Sequence, residues 1–146
     1  MKAEIAWTGD VKFSVTSGSG HTITTDGPAE AGGQNAGPRP MELVLMGLGA
    51  CASYDVVTIL EKSRQPVMSC VARIEAARAD DPPKVFTRVT MHFVVSGTGL
   101  TESKVARAVA LSAEKYCSAS IMLARGGVEI GHSFEIVEPP PDVEPQ

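Results

Sequence analysis

The sequence has little positive charge and no apolar segment near its start. Thirteen lysines and arginines stand against 17 acidic residues, which gives a formal net charge of −4 at pH 7. We therefore expect no basic surface that would attract phosphate backbones, and no nucleic-acid partner. Residues 1–7 include Lys2 and Glu4 and contain no apolar run, so we expect no signal peptide and a cytoplasmic location.

The chain also lacks an uninterrupted hydrophobic run long enough to span a membrane. A span needs about 20 mostly apolar residues, whereas the longest apolar stretch, residues 43–60, contains Ser53, Asp55 and two glycines. We therefore predict a buried helix there and no membrane partner.

Cysteines are few and odd in number. The three, Cys51, Cys70 and Cys117, do not form the even set that is typical of small secreted disulfide proteins. In a reducing compartment we expect free thiols.

The remaining composition is that of an ordinary globular protein. Hydrophobic residues make up 43% of the 146 residues and charged residues 21%, which argues against a disordered chain. The length fits one domain, predicted over residues 1–137. Residues 138–146 form an acidic, proline-rich tail that we predict to be disordered.

Residue patterns predict a mixed α+β fold. Alternating β-formers predict antiparallel strands, and a 3.6-residue apolar period predicts helices. A glycine- and proline-rich stretch predicts a long surface loop. The predicted elements are strands at 2–7, 11–15 and 21–25, a loop at 27–40, a helix at 40–63, strands at 67–78 and 84–95, a helix from 101 to about 116, a helical turn at 118–125 and a strand at 128–137.

The helix predicted at 40–63 is apolar nearly all round, so we expect it inside the protein or at a subunit interface. It carries Cys51 shortly after Gly47 and Gly49, although each glycine inside a helix lowers the stability of the helix by roughly 1 kcal/mol relative to alanine. Two interpretations remain open. The glycines let a substrate or a partner backbone approach the sulfur closely, or they let the helix pack tightly against a neighbouring element.

The other two cysteines differ in setting. Cys117 follows a predicted helix and precedes Ser118, so its sulfur is expected near a helix end, where backbone groups are unpaired. Cys70 lies in the middle of a predicted strand and is assigned to packing, since free cysteines are commonly buried.

A combination of short motifs resembles the OsmC/Ohr family. Pro40-Met41-Glu42-Leu43 is followed by Gly49-Ala50-Cys51, and Glu114-Lys115-Tyr116-Cys117-Ser118-Ala119-Ser120 follows sixty-six positions after the first thiol. Trp7-Thr8-Gly9-Asp10 is similar to the amino-terminal hairpin of the family. Each motif is short, and the combination with the order of elements over residues 2–137 carries the resemblance.

The resemblance implies an OsmC-like fold, with antiparallel sheets packed on a long central helix in an intertwined homodimer. It also implies a thiol peroxidase. In such proteins the first cysteine attacks an organic or lipid hydroperoxide and becomes a sulfenic acid, which the second cysteine resolves as a disulfide. Those roles fall to Cys51 and Cys117. An external dithiol is then expected to reduce the disulfide by exchange.

The residues that would activate the first thiol match the family's pattern only in part. The family pairs a glutamate and an arginine beside this thiol, and Glu42 matches the glutamate. No arginine occurs in residues 1–38, so Arg39 is the candidate cation, although it does not occupy the family's position. Asp55 lies one helical turn after Cys51, and a nearby anion raises the pKa of a thiol.

Helix geometry bears on the expected assembly. Glu42 and Cys51 are nine residues apart, which places them on opposite faces of one regular helix and roughly 13 Å apart along its axis. If they share a site, Glu42 comes from a second chain or from a bent first turn. A homodimer is therefore expected from the sequence as well as from the resemblance.

A second functional hypothesis is a non-catalytic relative that binds a small apolar molecule at the dimer interface and keeps its thiols reduced. The missing arginine and Asp55 favour it. No cofactor is expected, and no metal site either, because His21, His92 and His132 lie on three separate predicted strands and zinc needs three or four convergent ligands.

Overall fold

The structure is a computed structural model that describes residues 1–139. Most of the tail predicted to be disordered, residues 138–146, thus lies outside the described residues. The chain separates into two compact units, Met1–Met46 and a second that begins at Gly47. The single domain expected over residues 1–137 stays a prediction.

The first unit contains a three-stranded antiparallel sheet. Its strands are β1 (Ala3–Gly9), β2 (Lys12–Ser17) and β3 (Thr22–Thr25), in the order β1-β2-β3. The predicted hairpin between the first two strands is confirmed. Little of this sheet is covered, since Ile5 and Trp7 of β1 are 59% and 68% exposed.

A loop with one short 3₁₀ turn, Ala29–Ala31, follows this sheet. Asp26 organises the loop, because its carboxylate accepts hydrogen bonds from the backbone N–H groups of Gly27, Gln34 and Ala36 at 2.8 to 3.0 Å. The bonds from Ala36, Gln34 and Gly27, named in order of their effect, hold the pKa of Asp26 below its usual value. The long loop predicted from glycine and proline content is therefore an ordered one.

Helix α1 runs from Pro40 to Lys62, within one residue of the prediction. Its buried positions in the second unit include Leu48, Ala52, Val56 and Leu60, which recur every four residues on one face. Length and composition alone would also let α1 cross a membrane, and 28% of its most apolar window is buried in the chain. The four-residue recurrence is typical of a helix that packs on a protein core.

The second unit contains the larger sheet. β4 (Ser69–Arg78) and β5 (Phe86–Ser96) pair in antiparallel fashion as predicted, and β6 (Glu129–Val137) pairs with β5. The β5–β6 pairing is parallel, which differs from the predicted antiparallel sheets. A parallel return needs a long crossover, and the helices between β5 and β6 supply it.

That crossover contains α2 (Glu102–Leu111), a π-helical segment (Ser112–Tyr116) and α3 (Ser118–Arg125). The sequence predicts one helix up to residue 116 and a helical turn after it. The structure adds the π-helical segment, which widens the last turn immediately before Cys117.

Inward-facing side chains of α1, α2 and β5 form the core of the second unit. Its largest fully buried apolar members are Phe93, Leu48, Leu60, Met91, Val56, Val89, Val95, Val105 and Val109. Gly49 leaves room for the side chain of Ile74 in β4, since a Cβ atom at Gly49 would lie 2.4 Å from Cδ1 of Ile74. The packing interpretation therefore holds for Gly49. Gly47 has no neighbouring atom within 4 Å of such a Cβ.

Candidate functional site

The fold brings the two motif cysteines together. Cys51 lies on α1, and Cys117 is the residue between the π-helical segment and α3. Their sulfur atoms lie within 4.8 Å of one another, although 65 residues separate them along the chain. All three cysteines are free thiols. Cys51 is partly buried and Cys117 fully buried.

A buried serine holds the two cysteine-bearing segments in place. Ser112, at the start of the π-helical segment, donates its hydroxyl proton to the carbonyl oxygen of Ala52 at 2.9 Å. The carbonyl of the same serine accepts the backbone N–H of Cys117 at 2.9 Å. Ser112 thus links the position next to Cys51, through its side chain, to Cys117, through its backbone carbonyl.

The amino-terminal end of α3 points hydrogen-bond donors at both sulfurs. Cys117 is the N-cap of α3, and its sulfur accepts the backbone N–H of Ser120 at 3.4 Å. Cys51 receives the backbone N–H of Ala119, and its sulfur lies 3.8 Å from the hydroxyl of Ser118. Unpaired N–H groups at a helix start favour anions, so they favour thiolates.

These surroundings shift the pKa values of the two thiols in opposite directions. Burial raises the pKa of Cys51, but the Ala119 N–H, the Cys117 thiol and the Ser118 hydroxyl outweigh it and leave the pKa below its usual value. Burial dominates at Cys117 and raises its pKa. Cys51 is thus the member of the pair that ionises first.

Asp55 completes the cluster on α1, one turn after Cys51 as the sequence predicts. One of its carboxylate oxygens lies within 4.8 Å of both sulfurs. Its Oδ2 atom is buried without a hydrogen-bond partner, and burial raises the pKa of the carboxyl. As expected, its charge opposes ionisation of Cys51 and raises the pKa of that thiol.

The two candidate activators lie in the first unit. There the Glu42 carboxylate accepts the backbone N–H of Arg39 at 2.8 Å, across the first turn of α1. This bond satisfies a backbone donor at the helix start, as a capping carboxylate does. Their action on Cys51 therefore stays a proposal.

The remaining predicted positions lie apart from this cluster. Cys70 is partly buried in β4, and burial raises the pKa of its thiol, in line with a packing role. His132 pairs with Glu114 at 3.2 Å, and His92 lies 2.8 Å from the Ser133 hydroxyl. The expectation that the Cys117 sulfur lies near a helix end with unpaired backbone groups is confirmed. Sequence reasoning missed Ser112 and the groups of α3 that face Cys51, because only the fold shows which groups lie beside that sulfur.

This arrangement of an α+β fold with a thiol pair agrees with comparisons with known proteins. The family model described as OsmC-like protein matches residues 32–133. Protein YhfA of Escherichia coli K12 is 45% identical over 137 residues, which are 94% of this chain and 98% of that protein. The chain belongs to the OsmC/Ohr family.

Solved structures show the same fold. A hypothetical protein from Aquifex aeolicus VF5 is 29% identical with a TM-score of 0.81, over 95% of this chain and 97% of that one. An organic hydroperoxide resistance protein OsmC from Legionella pneumophila is 21% identical with a TM-score of 0.69, over 92% and 95% of the two chains. The family assignment and the α+β class predicted from the sequence are thus confirmed.

Proposed function

We propose that this protein is a cysteine-based peroxidase that reduces organic or lipid hydroperoxides. The observation that carries the proposal is the approach of the Cys51 and Cys117 sulfurs to within 4.8 Å. The name of the Legionella relative, an organic hydroperoxide resistance protein, supports the substrate class. A cytosolic location would keep both thiols reduced between turnovers.

The asymmetry of the pair supports a division of roles between the two cysteines. Cys51 is partly exposed and has the lowered pKa, so it supplies the thiolate that meets the peroxide. Cys117 is fully buried and has a raised pKa, so it stays protonated until an oxidised partner forms beside it. Cys51 is thus the peroxidatic cysteine and Cys117 the resolving one.

The reaction follows from these positions. The Cys51 thiolate attacks the terminal oxygen of R–O–O–H, the O–O bond breaks, and a sulfenic acid and an alkoxide form. The alkoxide takes up the proton that Cys51 released and leaves as an alcohol. The Cys117 sulfur then attacks the Cys51 sulfur, water departs, and a disulfide forms. An external dithiol supplies the two electrons and two protons that restore both thiols.

We further propose that the working form is a homodimer and that a second copy of the chain supplies Arg39 and Glu42 as activators. Support comes from the uncovered apolar side chains of β1 and α1. Trp7 is 68% exposed, Met46 58% and Tyr54 72%. A three-stranded sheet and a largely apolar helix gain stability when a partner covers such surface.

The test is consumption of cumene hydroperoxide by the reduced protein. We expect one equivalent to be reduced per chain, with formation of a Cys51–Cys117 disulfide that peptide mapping detects. Cys51→Ser should abolish the reaction, and Cys70→Ser, which removes a thiol outside the pair, should leave it unchanged. Wild-type activity in Cys51→Ser would refute the proposal.

A non-catalytic ligand-binding protein is the second candidate, and Asp55 favours it. A carboxylate beside Cys51 raises the pKa of that thiol and opposes its reactivity. This candidate predicts a Cys51 thiol that ionises near the reference pKa of about 8.5. It also predicts that a bound apolar molecule raises the melting temperature without turnover.

A further inference from the structure

Cys51, Asp55 and Cys117 form a compact set of potential metal ligands, which we call the thiol–carboxylate cluster. Their three ligand atoms lie within 4.8 Å of one another. Zinc binds thiolate sulfur at about 2.3 Å and carboxylate oxygen at about 2.0 to 2.2 Å in a tetrahedron. Two sulfurs on one zinc ion are then about 3.8 Å apart. The 4.8 Å limit on the distances within the cluster lies about 1 Å above this separation.

The charges of the cluster favour a cation. The Asp55 Oδ2 atom is buried and has no hydrogen-bond partner. None of the salt bridges among residues 1–139 involves Asp55. Two ionisable thiols and a carboxyl thus lie side by side without an ion-pair partner for that carboxyl. A bound divalent cation would offset most of the negative charge that two thiolates and the carboxylate carry, and it would satisfy the unpartnered oxygen.

Hydrogen bonds to the sulfurs agree with a metal-binding role. The backbone N–H groups of Ala119 and Ser120 point at Cys51 and Cys117, respectively. Metal-binding side chains are commonly oriented by such surrounding hydrogen bonds. With these bonds in place, the two sulfurs and an Asp55 oxygen lie within 4.8 Å of one another.

We propose that the reduced protein binds one zinc-class divalent cation through Cys51 Sγ, Cys117 Sγ and a carboxylate oxygen of Asp55. Thiolate ligands select zinc over magnesium or calcium. Binding forms two metal–sulfur bonds and one metal–oxygen bond and releases the two thiol protons, with no change of oxidation state. Three protein ligands leave a fourth position for water. The bound metal would occupy the sulfur electron pairs that attack on a peroxide requires.

The experiment measures zinc binding by reduced protein under anaerobic conditions, in competition with a chromophoric chelator. We expect one Zn²⁺ per chain. Loss of a residue that only orients a ligand already weakens metal binding by about tenfold or more. Asp55→Asn and Cys51→Ser each remove a ligand itself, so each should weaken binding at least as much. Glu61→Gln, an exposed carboxylate on the same helix, and Cys70→Ser should bind as tightly as wild type.

A second measurement does not depend on variants, since replacement of the buried Cys117 could disturb folding. Zn²⁺ should slow alkylation of Cys51 in the wild-type protein and leave the rate at Cys70 unchanged. Binding by Asp55→Asn as tight as wild type, or equal slowing at Cys70, would overturn the proposal. Neither measurement uses a peroxide, so the outcome is independent of whether the protein is a peroxidase.

Discussion

At the scale of single residues, the reactivity of Cys51 depends on a balance of opposing contributions. Burial and the Asp55 charge raise the pKa of the thiol, whereas donors from Ala119, Cys117 and Ser118 lower it. The donors prevail, although no arginine or lysine within residues 1–139 contributes to the balance. Hydrogen bonds from a helix start thus do part of what a cation would do.

The first prediction compares two cysteines of the same chain. The pKa of Cys51 is lowered and that of Cys70 is raised by burial. The thiolate is the reactive form, so the rate of Cys51 alkylation should reach its half-maximum at a lower pH than the rate of Cys70 alkylation. Mass spectrometry of iodoacetamide-labelled peptides across a pH series measures both. Coincident profiles would contradict the predicted difference.

The second prediction concerns the hydroxyl donor. Ser118→Ala removes the hydroxyl that lies 3.8 Å from the Cys51 sulfur, so the pKa of Cys51 should rise and its alkylation profile should move to higher pH. Ser133→Ala, which removes a hydroxyl that contacts His92 instead, is the matched control. An unchanged profile in Ser118→Ala would assign the lowered pKa to the Ala119 N–H and the Cys117 thiol.

At the scale of elements, the site depends on how the segment before α3 is joined to α1. The π-helical segment Ser112–Tyr116 ends at Cys117, and Ser112 binds the backbone of α1 beside Cys51. Widened helical turns of this kind are frequent at functional sites. The distance between the sulfurs is therefore determined by a contact between elements.

Loss of the Ser112 contact should affect both stability and disulfide formation. Ser112→Ala removes a buried hydrogen bond, so the free energy of unfolding should fall by about 1 kcal/mol, and diamide should form the Cys51–Cys117 disulfide more slowly. Ser96→Ala breaks the 2.6 Å bond between the Ser69 and Ser96 hydroxyls in the sheet. Ser96→Ala should lose stability without a change in the rate of disulfide formation. Equal rates of disulfide formation in Ser112→Ala and Ser96→Ala would contradict the role given to Ser112.

Asp26 leads to a prediction for the loop before α1. Its lowered pKa means that its contribution to stability is complete above the ordinary value of 3.8 and is lost as the pH falls through the folded value. Asp26→Ala should therefore speed amide exchange at Gln34 and Ala36 at neutral pH. Asp10→Ala removes an exposed carboxylate of the same unit and should leave both amides protected.

At the scale of the whole molecule, a single chain leaves much apolar surface exposed on α1 and on the smaller sheet. Only 28% of the most apolar window of α1 is buried, and Ile5, Trp7 and Ile23 of the smaller sheet are all more than 40% exposed. Burial of apolar surface contributes roughly 25 cal/mol per Å². Association with a second copy is the proposed way to cover it.

The corresponding prediction is that the reduced protein sediments as a dimer. Met46→Lys places a charge on the exposed apolar face of α1 and should shift the protein toward monomer and lower its melting temperature. Val85→Lys, at a position 54% exposed beside the turn between β4 and β5, should remain dimeric. A wild-type monomer at micromolar concentration would contradict the proposed assembly and the donation of Arg39 and Glu42 by a second chain.

The sequence by itself determined the elements and the family. Apolar periodicity placed α1 within one residue, and alternation placed β4 and β5 within two, because these signals come from neighbours along the chain. The position of Asp55, one turn after Cys51 on the same face of α1, was predictable for the same reason. Tertiary structure alone decided the parallel pairing of β6, the π-helical segment and the approach of two sulfurs from distant segments. Those features depend on contacts between elements, and no local pattern of residues encodes such contacts.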